Sequence, residues 1–404
     1  MGSPEFGGAQ LRQAREAAGY SLGEMAARVP YSKAALGHYE TGVRSLTAEV
    51  ITWYERVCGQ FTDPVTTVVT LGRADVDRRA FLRKAVYSAA LSATAIGVGT
   101  LDAAGIERLA NLDDKRMVGM GEVQALRRVV EAFQHLDEFK GGGVGRTAVA
   151  ELLSTDVATL LRSRFATSEV RAQAFSIAAE LSYLAGFKAH DAGMDGAAQR
   201  YYLSALHLAE ASGVPGHDAW VCRVLALQGN DIGKRVYGID LAEEACRRAC
   251  GKVDGGTQAL FTVALARCHA EVGNKREALA ALTIAEPWIA PGRSAELPAW
   301  CAWWGGDQAT VNNQCAKTFR ALGDYTAAEP HHQLATTMWE PGVHRRVYAN
   351  TLGDVGIARW KTGDHTGAIK AWNMALPILS ELQSARVEKT LGKIRRSAPE
   401  LFTV

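Results

Sequence analysis

Apolar residues along the 404-residue chain follow a helical pattern: alanine and leucine dominate, and period-two alternation of Val, Ile and Thr is scarce. Eleven thinly scattered prolines leave long stretches uninterrupted, so the pattern predicts an all-α protein. A first amphipathic helix opens at Leu11-Arg12-Gln13-Ala14-Arg15 and ends at Gly19. Ser21, with Glu24 three residues later, forms a capping box for a second, short helix. Val29-Pro30-Tyr31 makes a turn, Ser32 caps a third helix running to about Tyr39, and Leu36 follows the small Ala26 by ten positions. That spacing lets the third helix cross and pack on the second. Gly59 and Asp63-Pro64 close the unit, giving an N-terminal domain over residues 8–60.

Residues 61–122 read as a linker with connecting helices, broken at Gly97, Gly99, Gly105, Gly119 and Gly121. The triple glycine Gly141 to Gly143 ends the helix begun near Val123, and a new one starts near Thr147. Beyond it the chain repeats. Gly193, Gly273, Gly323 and Gly363 are each followed after five residues by Ala198, Ala278, Ala328 and Ala368. Seven residues further on stand Ala205, Ala285, Ala335 and Ala375, with Tyr202, Leu282, His332 and Trp372 between them. Two small residues flanking one usually large residue let the second helix of a hairpin approach the first closely. A copy around Gly238 looks degenerate, because Glu243 falls where the first alanine is expected. The pattern resembles the tetratricopeptide repeat, at intervals of about 35 to 50 rather than a constant 34. The expected C-terminal unit is a helical repeat sensor and dimerisation domain over residues 123–395.

In the N-terminal unit, Leu11, Arg15, Gly19, Ser21, Ala26, Ser32, Leu36, Glu40 and Gly42 fall in the order and spacing of the Xre/Cro family. This resemblance implies a lambda-repressor-like helix-turn-helix that binds double-stranded DNA. Carried over residue by residue, it places Ser21, Ser32 and Lys33 at helix N-termini near the DNA, Ala35 and Gly37 near base edges, and His38 or Arg44 near phosphate. Glu40 takes a structural role. Two departures stand out: Pro30 occupies a turn position usually held by glycine, and Leu22 one often held by glutamine. With Ala34, Ala35 and Gly37 in the recognition helix, few side chains offer bidentate base contacts. Specificity then falls to thymine methyl contacts, DNA shape, or the basic run Arg73 to Lys84 on the backbone.

Arrays of tetratricopeptide type present the first helix of each pair to a concave surface. Stepping back from each glycine places Tyr183, Phe187, Arg267, Asn313, Lys317, Arg320 and Asn350 there, with Gln228 from the degenerate copy. Asparagine amides both donate to and accept from a peptide backbone, and Lys317 with Arg320 suits a carboxylate. An Xre-type helix-turn-helix fused to such repeats resembles the RRNPP peptide-sensing regulators. That likeness implies a homodimer whose array binds a signalling peptide or small molecule and resets the spacing of two DNA-binding domains. The alternative is a protein-interaction scaffold with a vestigial helix-turn-helix.

Charge argues for neither reading, since the formal net charge is +2 and residues 1–60 balance six Lys/Arg with six Glu. Seven cysteines form an odd set with no CxxC pair, as expected of buried thiols in a reducing cytoplasm. No P-loop, GxGxxG, HExxH or GxSxG occurs, and His331, His332 and His344 lack ligand spacing. The expectation is a cytoplasmic protein that is not an enzyme, with no catalytic or metal residues, no cofactor and no membrane partner. Met1 to Phe6, reading MGSPEF, resembles a remnant of cloning. The stretch from Asp77 to Gly99 resembles a twin-arginine export signal but follows a candidate folded domain, so it reads as a connecting helix.

Overall fold

The structure, a computed structural model, describes residues 7–59, 65, 72, 117–289, 297–302 and 307–402. The MGSPEF hexapeptide, the basic run Arg73 to Lys84 and the twin-arginine-like stretch lie outside the described residues.

The N-terminal unit consists of α1 (Gly8–Ala17), α2 (Leu22–Ala26), α3 (Lys33–Glu40) and α4 (Ala48–Cys58). Leu11, Met25, Leu36, Val50 and Tyr54 are fully buried in its core. Met25 fills the centre, and Ala26 packs half-buried beside it. Gly8 is needed where α1 meets the end of α3, because a Cβ there would lie 2.0 Å from the Tyr39 carbonyl oxygen. Beneath this contact Arg15 donates from Nε and Nη2 to the two carboxylate oxygens of Glu40 at 2.6 and 2.7 Å. The Tyr54 hydroxyl donates to the same carboxylate at 2.7 Å, and Arg15 Nη1 reaches the Tyr20 carbonyl. One buried ion pair thus ties α1, α3 and α4 together.

The second unit opens with β1 (Met117–Val118), α5 (Met120–Lys140), α6 (Arg146–Leu152), a π-helical turn (Leu153–Val157), α7 (Ala158–Arg162) and β2 (Arg164–Phe165). The two short strands pair in parallel, Met117 opposite Arg164 and Val118 opposite Phe165. Five hairpins follow: α8 (Ser168–Asp191) with α9 (Asp195–Ser212), α10 (His217–Asp231) with α11 (Arg235–Ala249), and α12 (Gly255–Glu271) with α13 (Lys275–Ile289). After α14 (Ala299–Ala302) come α15 (Asp307–Ala321) with α16 (Tyr325–Met338) and α17 (Arg345–Thr362) with α18 (His365–Leu379). Helix α19 (Ala385–Ser397) and a 3₁₀ turn (Pro399–Phe402) complete the array.

Each hairpin turns on a glycine at positive φ: Gly193, Gly233, Gly273, Gly323 and Gly363. The period is therefore 40 residues, with one interval of 50 that accommodates α14. This corrects the reading of the second copy. Its turn is Gly233, and Gly238 and Ala245 supply the two small positions, so the copy is displaced by five residues rather than degenerate. A Cβ on Gly229 would come within 3.5 Å of Gly238 Cα, the close helix approach that small residues permit. Elsewhere the large residue of the second helix presses on a small one sixteen positions earlier. Tyr202 covers Gly186 and Trp372 covers Gly356, where an added Cβ would meet the ring at 2.6 and 2.2 Å.

The array closes on itself through its first and last helices. Arg346 of α17 donates to Asp137 and Glu138 of α5 at 2.8 and 2.7 Å, and Lys188 of α8 meets Asp137 at 2.9 Å. Ser384, capping α19, donates to Asp191, which also accepts from the Gly142 amide. The triple glycine permits this joint, since a Cβ on Gly142 would lie 2.5 Å from Asp191 and one on Gly141 2.4 Å from the Gln383 carbonyl. Burial opposes ionisation of Asp137, yet Lys188 and Arg346 outweigh it and hold the carboxyl below its ordinary value. Among the described residues, no helix is long and apolar enough to cross a membrane.

Candidate nucleic-acid interface and inner groove

Two caps fix the approach of α2 and α3. Ser21 Oγ accepts from the Glu24 amide at 3.2 Å while Glu24 returns a carboxylate to the Ser21 amide at 2.8 Å. Ser32 Oγ accepts from the Ala35 amide at 3.2 Å. Both serine hydroxyls are thus used in capping, although both residues remain exposed. Leu36 and Glu40 mark the inner side of α3, and at about 100° per residue Ala34 and His38 face the opposite way. Lys33, Ala34, His38 and Arg44 are exposed. Ala35 and Gly37 are half-buried, and Gly37 faces α2, where a Cβ would sit 3.6 Å from Leu22 Cδ2. Gly37 is therefore a packing position, and Ala34, absent from the sequence-derived set, takes the outward one. Leu22 in place of glutamine is explained by the same contact. The Arg44 amide donates to the His38 carbonyl, and its guanidinium lies 6.0 Å from the Tyr39 ring.

Residues 8–63 match a family profile described as a helix-turn-helix domain. Neither the curated proteins nor the solved structures give a significant match. The helix-turn-helix supports a DNA-binding regulator. Its third helix, α3, exposes Lys33, Ala34 and His38. Its last helix, α4, rests on the outer face of the array. Glu55 meets His207 of α9 at 2.6 Å, Thr52 hydrogen-bonds Tyr237 of α11, and Glu49 lies 3.6 Å from Lys234. Trp53 borders a cavity of about 230 Å³ between these helices.

The eight residues chosen from repeat spacing line one groove of about 330 Å³ on the inner side of the array. Tyr183 and Phe187 come from α8, Gln228 from α10, Arg267 from α12, Asn313, Lys317 and Arg320 from α15, and Asn350 from α17. Their availability differs. Asn350 donates to the Arg346 carbonyl at 3.0 Å and accepts from Thr390 at 2.8 Å, so its amide is engaged within the protein. Arg267 pairs with Asp231 at 3.2 Å, and Arg320 pairs with Asp354. Asn313 Oδ1 is buried without a partner among the described residues. Burial and the charges of Arg267 and Arg320 push the Lys317 ammonium down to about 7, against the opposing pull of Asp354 and Asp231.

The sequence-derived set missed further groove residues. Arg223 of α10 escapes a count that starts from Gly238, whereas ten positions back from Gly233 gives it directly. Arg386, Lys389 and Lys393 lie on α19, outside any repeat, and no periodicity points to them. Across the groove Trp339 Nε1, Arg346 Nε and Arg386 Nε are buried donors without an acceptor among the described residues.

Proposed function

We propose that the chain is a sequence-specific transcriptional regulator whose helical repeat array senses a small ligand or peptide and mediates dimerisation. The observation that carries this reading is the helix-turn-helix match over residues 8–63, with α3 facing solvent and Lys33 at its first turn. Dimerisation follows from economy of contacts. One recognition helix with Ala34 and His38 outward offers little direct readout, and a second half-site about one helical turn away doubles it. The inner groove supplies the sensor, of a size suited to a compact ligand. The repeat architecture, a helix-turn-helix ahead of it and the polar groove together support kinship with tetratricopeptide-type, RRNPP-like regulators. In this reading the protein works in the cytoplasm and performs no catalysis.

Footprinting on DNA upstream of the protein's own reading frame, across a salt series, tests the regulator. Protection of a discrete two-fold site that weakens steeply with salt is expected. Uniform, sequence-indifferent binding, or none, overturns it. Sedimentation of the free protein and its DNA complex tests the dimer.

A further inference from the structure

The inner groove concentrates charge that the chain as a whole lacks. Eight Lys/Arg and three Asp/Glu line it, whereas the formal net charge of the protein is only +2. The three acids are already engaged: Asp231 with Arg267, Asp354 with Arg320, and Glu138 with Arg346. Lys317, Lys389 and Lys393 make no ion pair among the described residues, and the nearest carboxylate oxygen to Arg386 is that of Asp191, at 3.9 Å. Three buried donors there, Trp339 Nε1, Arg346 Nε and Arg386 Nε, have no acceptor among the described residues, and Trp339 is only 4% exposed. Lys317 is half-buried and Lys389 and Lys393 are exposed, so the buried cost falls on the orphaned donors. Donors without an acceptor beside an excess of positive charge call for a ligand rich in acceptors and negative charge. The volume of about 330 Å³ suits a compact molecule rather than a long peptide.

We propose that this groove binds a compact, multiply charged anion, a phosphate-bearing or polycarboxylate small molecule, held by Lys317 on one side and by Lys393 and Arg386 on the other. The proposal rests on the reading of the array as a sensor. Lys317 comes from α15, and Lys393 and Arg386 from α19, the helix that completes the closed array. The anion therefore bridges the repeats and their C-terminal cap.

Calorimetric titration of the full chain with pyrophosphate and with citrate, at constant ionic strength set by sodium chloride, tests this. Saturable binding of at least one is expected, and which one saturates separates the phosphate from the carboxylate source. Lys317→Met and Lys393→Gln are each expected to weaken it by about tenfold or more. Lys317→Met is also expected to raise the melting temperature of the ligand-free protein, which separates a lost site from a lost fold. No saturation by either anion, or saturation untouched by both substitutions, overturns the proposal. A gel shift with the bound anion separates the two readings. Anion binding that leaves DNA affinity unchanged supports the site and removes the sensor. Lys317-dependent binding confined to neutral or basic peptides overturns the anion and retains the sensor.

Discussion

Replacing Glu40 with alanine removes the acceptor for three hydrogen bonds: two from Arg15 at 2.6 and 2.7 Å and one from Tyr54 at 2.7 Å. The Arg15 side chain is 8% exposed, so its guanidinium cannot recover the loss from bulk water and keeps the Tyr20 carbonyl and a longer contact to the exposed Glu16 at 3.6 Å. Breaking a buried pair in this way costs about 3–5 kcal/mol. A unit of this size holds roughly 3–8 kcal/mol in total, at ~0.05–0.15 kcal/mol per residue. Glu40→Ala therefore leaves the helix-turn-helix near its unfolding midpoint, while the array, which shares no partner with Glu40, stays folded. Hydrogen exchange followed by mass spectrometry reads the two units separately. Peptides from residues 8–59 are expected to exchange about a hundredfold faster or more, and those from residues 307–402, which lie away from α4, at the parental rate. Arg15→Met combined with Glu40→Leu is expected to recover most of the protection, because it removes the stranded charge along with its partner. A Glu40→Ala protein whose N-terminal amides exchange within about threefold of the parent refutes the argument, since threefold is under ~1 kcal/mol.

Lys33→Ala with Arg44→Ala is expected to weaken binding uniformly across DNA sequences and to lower the salt slope by about one for each phosphate no longer neutralised, read by gel shift. Lys317→Met is expected to stabilise the ligand-free protein. The Lys317 ammonium is pushed from its ordinary 10.5 to about 7 by burial and by Arg267 and Arg320, against Asp354 and Asp231. Its cost is fully present below pH 7, on the order of 5 kcal/mol, and fades as pH rises toward 10.5. Denaturant melts of parent and variant at pH 6.5 and 9.5 check both the sign and the fading. Asp137→Asn leaves Lys188 and Arg346 without their shared carboxylate, and about 3–5 kcal/mol of closure is expected to be lost. Small-angle scattering is the check, with a larger radius of gyration expected from the opened array.

Much of the fold is legible because helical packing leaves a periodic trace. A glycine that must take positive φ and small residues that must face a neighbour are chemically constrained, so Gly193 to Ala205 announces its hairpin without any structure. The second copy is misleading for a related reason: Gly238 serves as a small packing residue, yet by identity it looks like a turn. Glycine has two uses, and sequence alone does not separate them. The capping box at Ser21 and the structural role of Glu40 are legible because their partners lie within one short unit. The groove is half legible. Its repeat-borne residues follow from spacing, whereas Arg386, Lys389 and Lys393 reach it only because the array closes and brings α19 across the opening. Closure depends on contacts about two hundred residues apart, such as Arg346 with Glu138, and no local pattern encodes them.

The hairpins that line the groove also touch the helix-turn-helix unit, and under the proposed sensor reading that contact is the route between them. Helices α8 and α10 line the groove with Tyr183, Phe187 and Arg223, while their hairpin partners α9 and α11 hold α4 through His207 and Tyr237. Each of these hairpins is closely packed. Tyr202 seats on Gly186 in the first, and Gly238 lies against Gly229 in the second, so the paired helices are in close contact. In the proposed sensor, a ligand that draws α15 and α19 toward α8 and α10 is expected to move whole hairpins and, with their outer faces, α4. Coupling of this kind needs no change inside the helix-turn-helix, whose Arg15–Glu40–Tyr54 network fixes α3 against α1 and α4. In a dimer, such rigid movement alters the distance between two recognition helices, and half-site spacing is the quantity to which that arrangement is most sensitive.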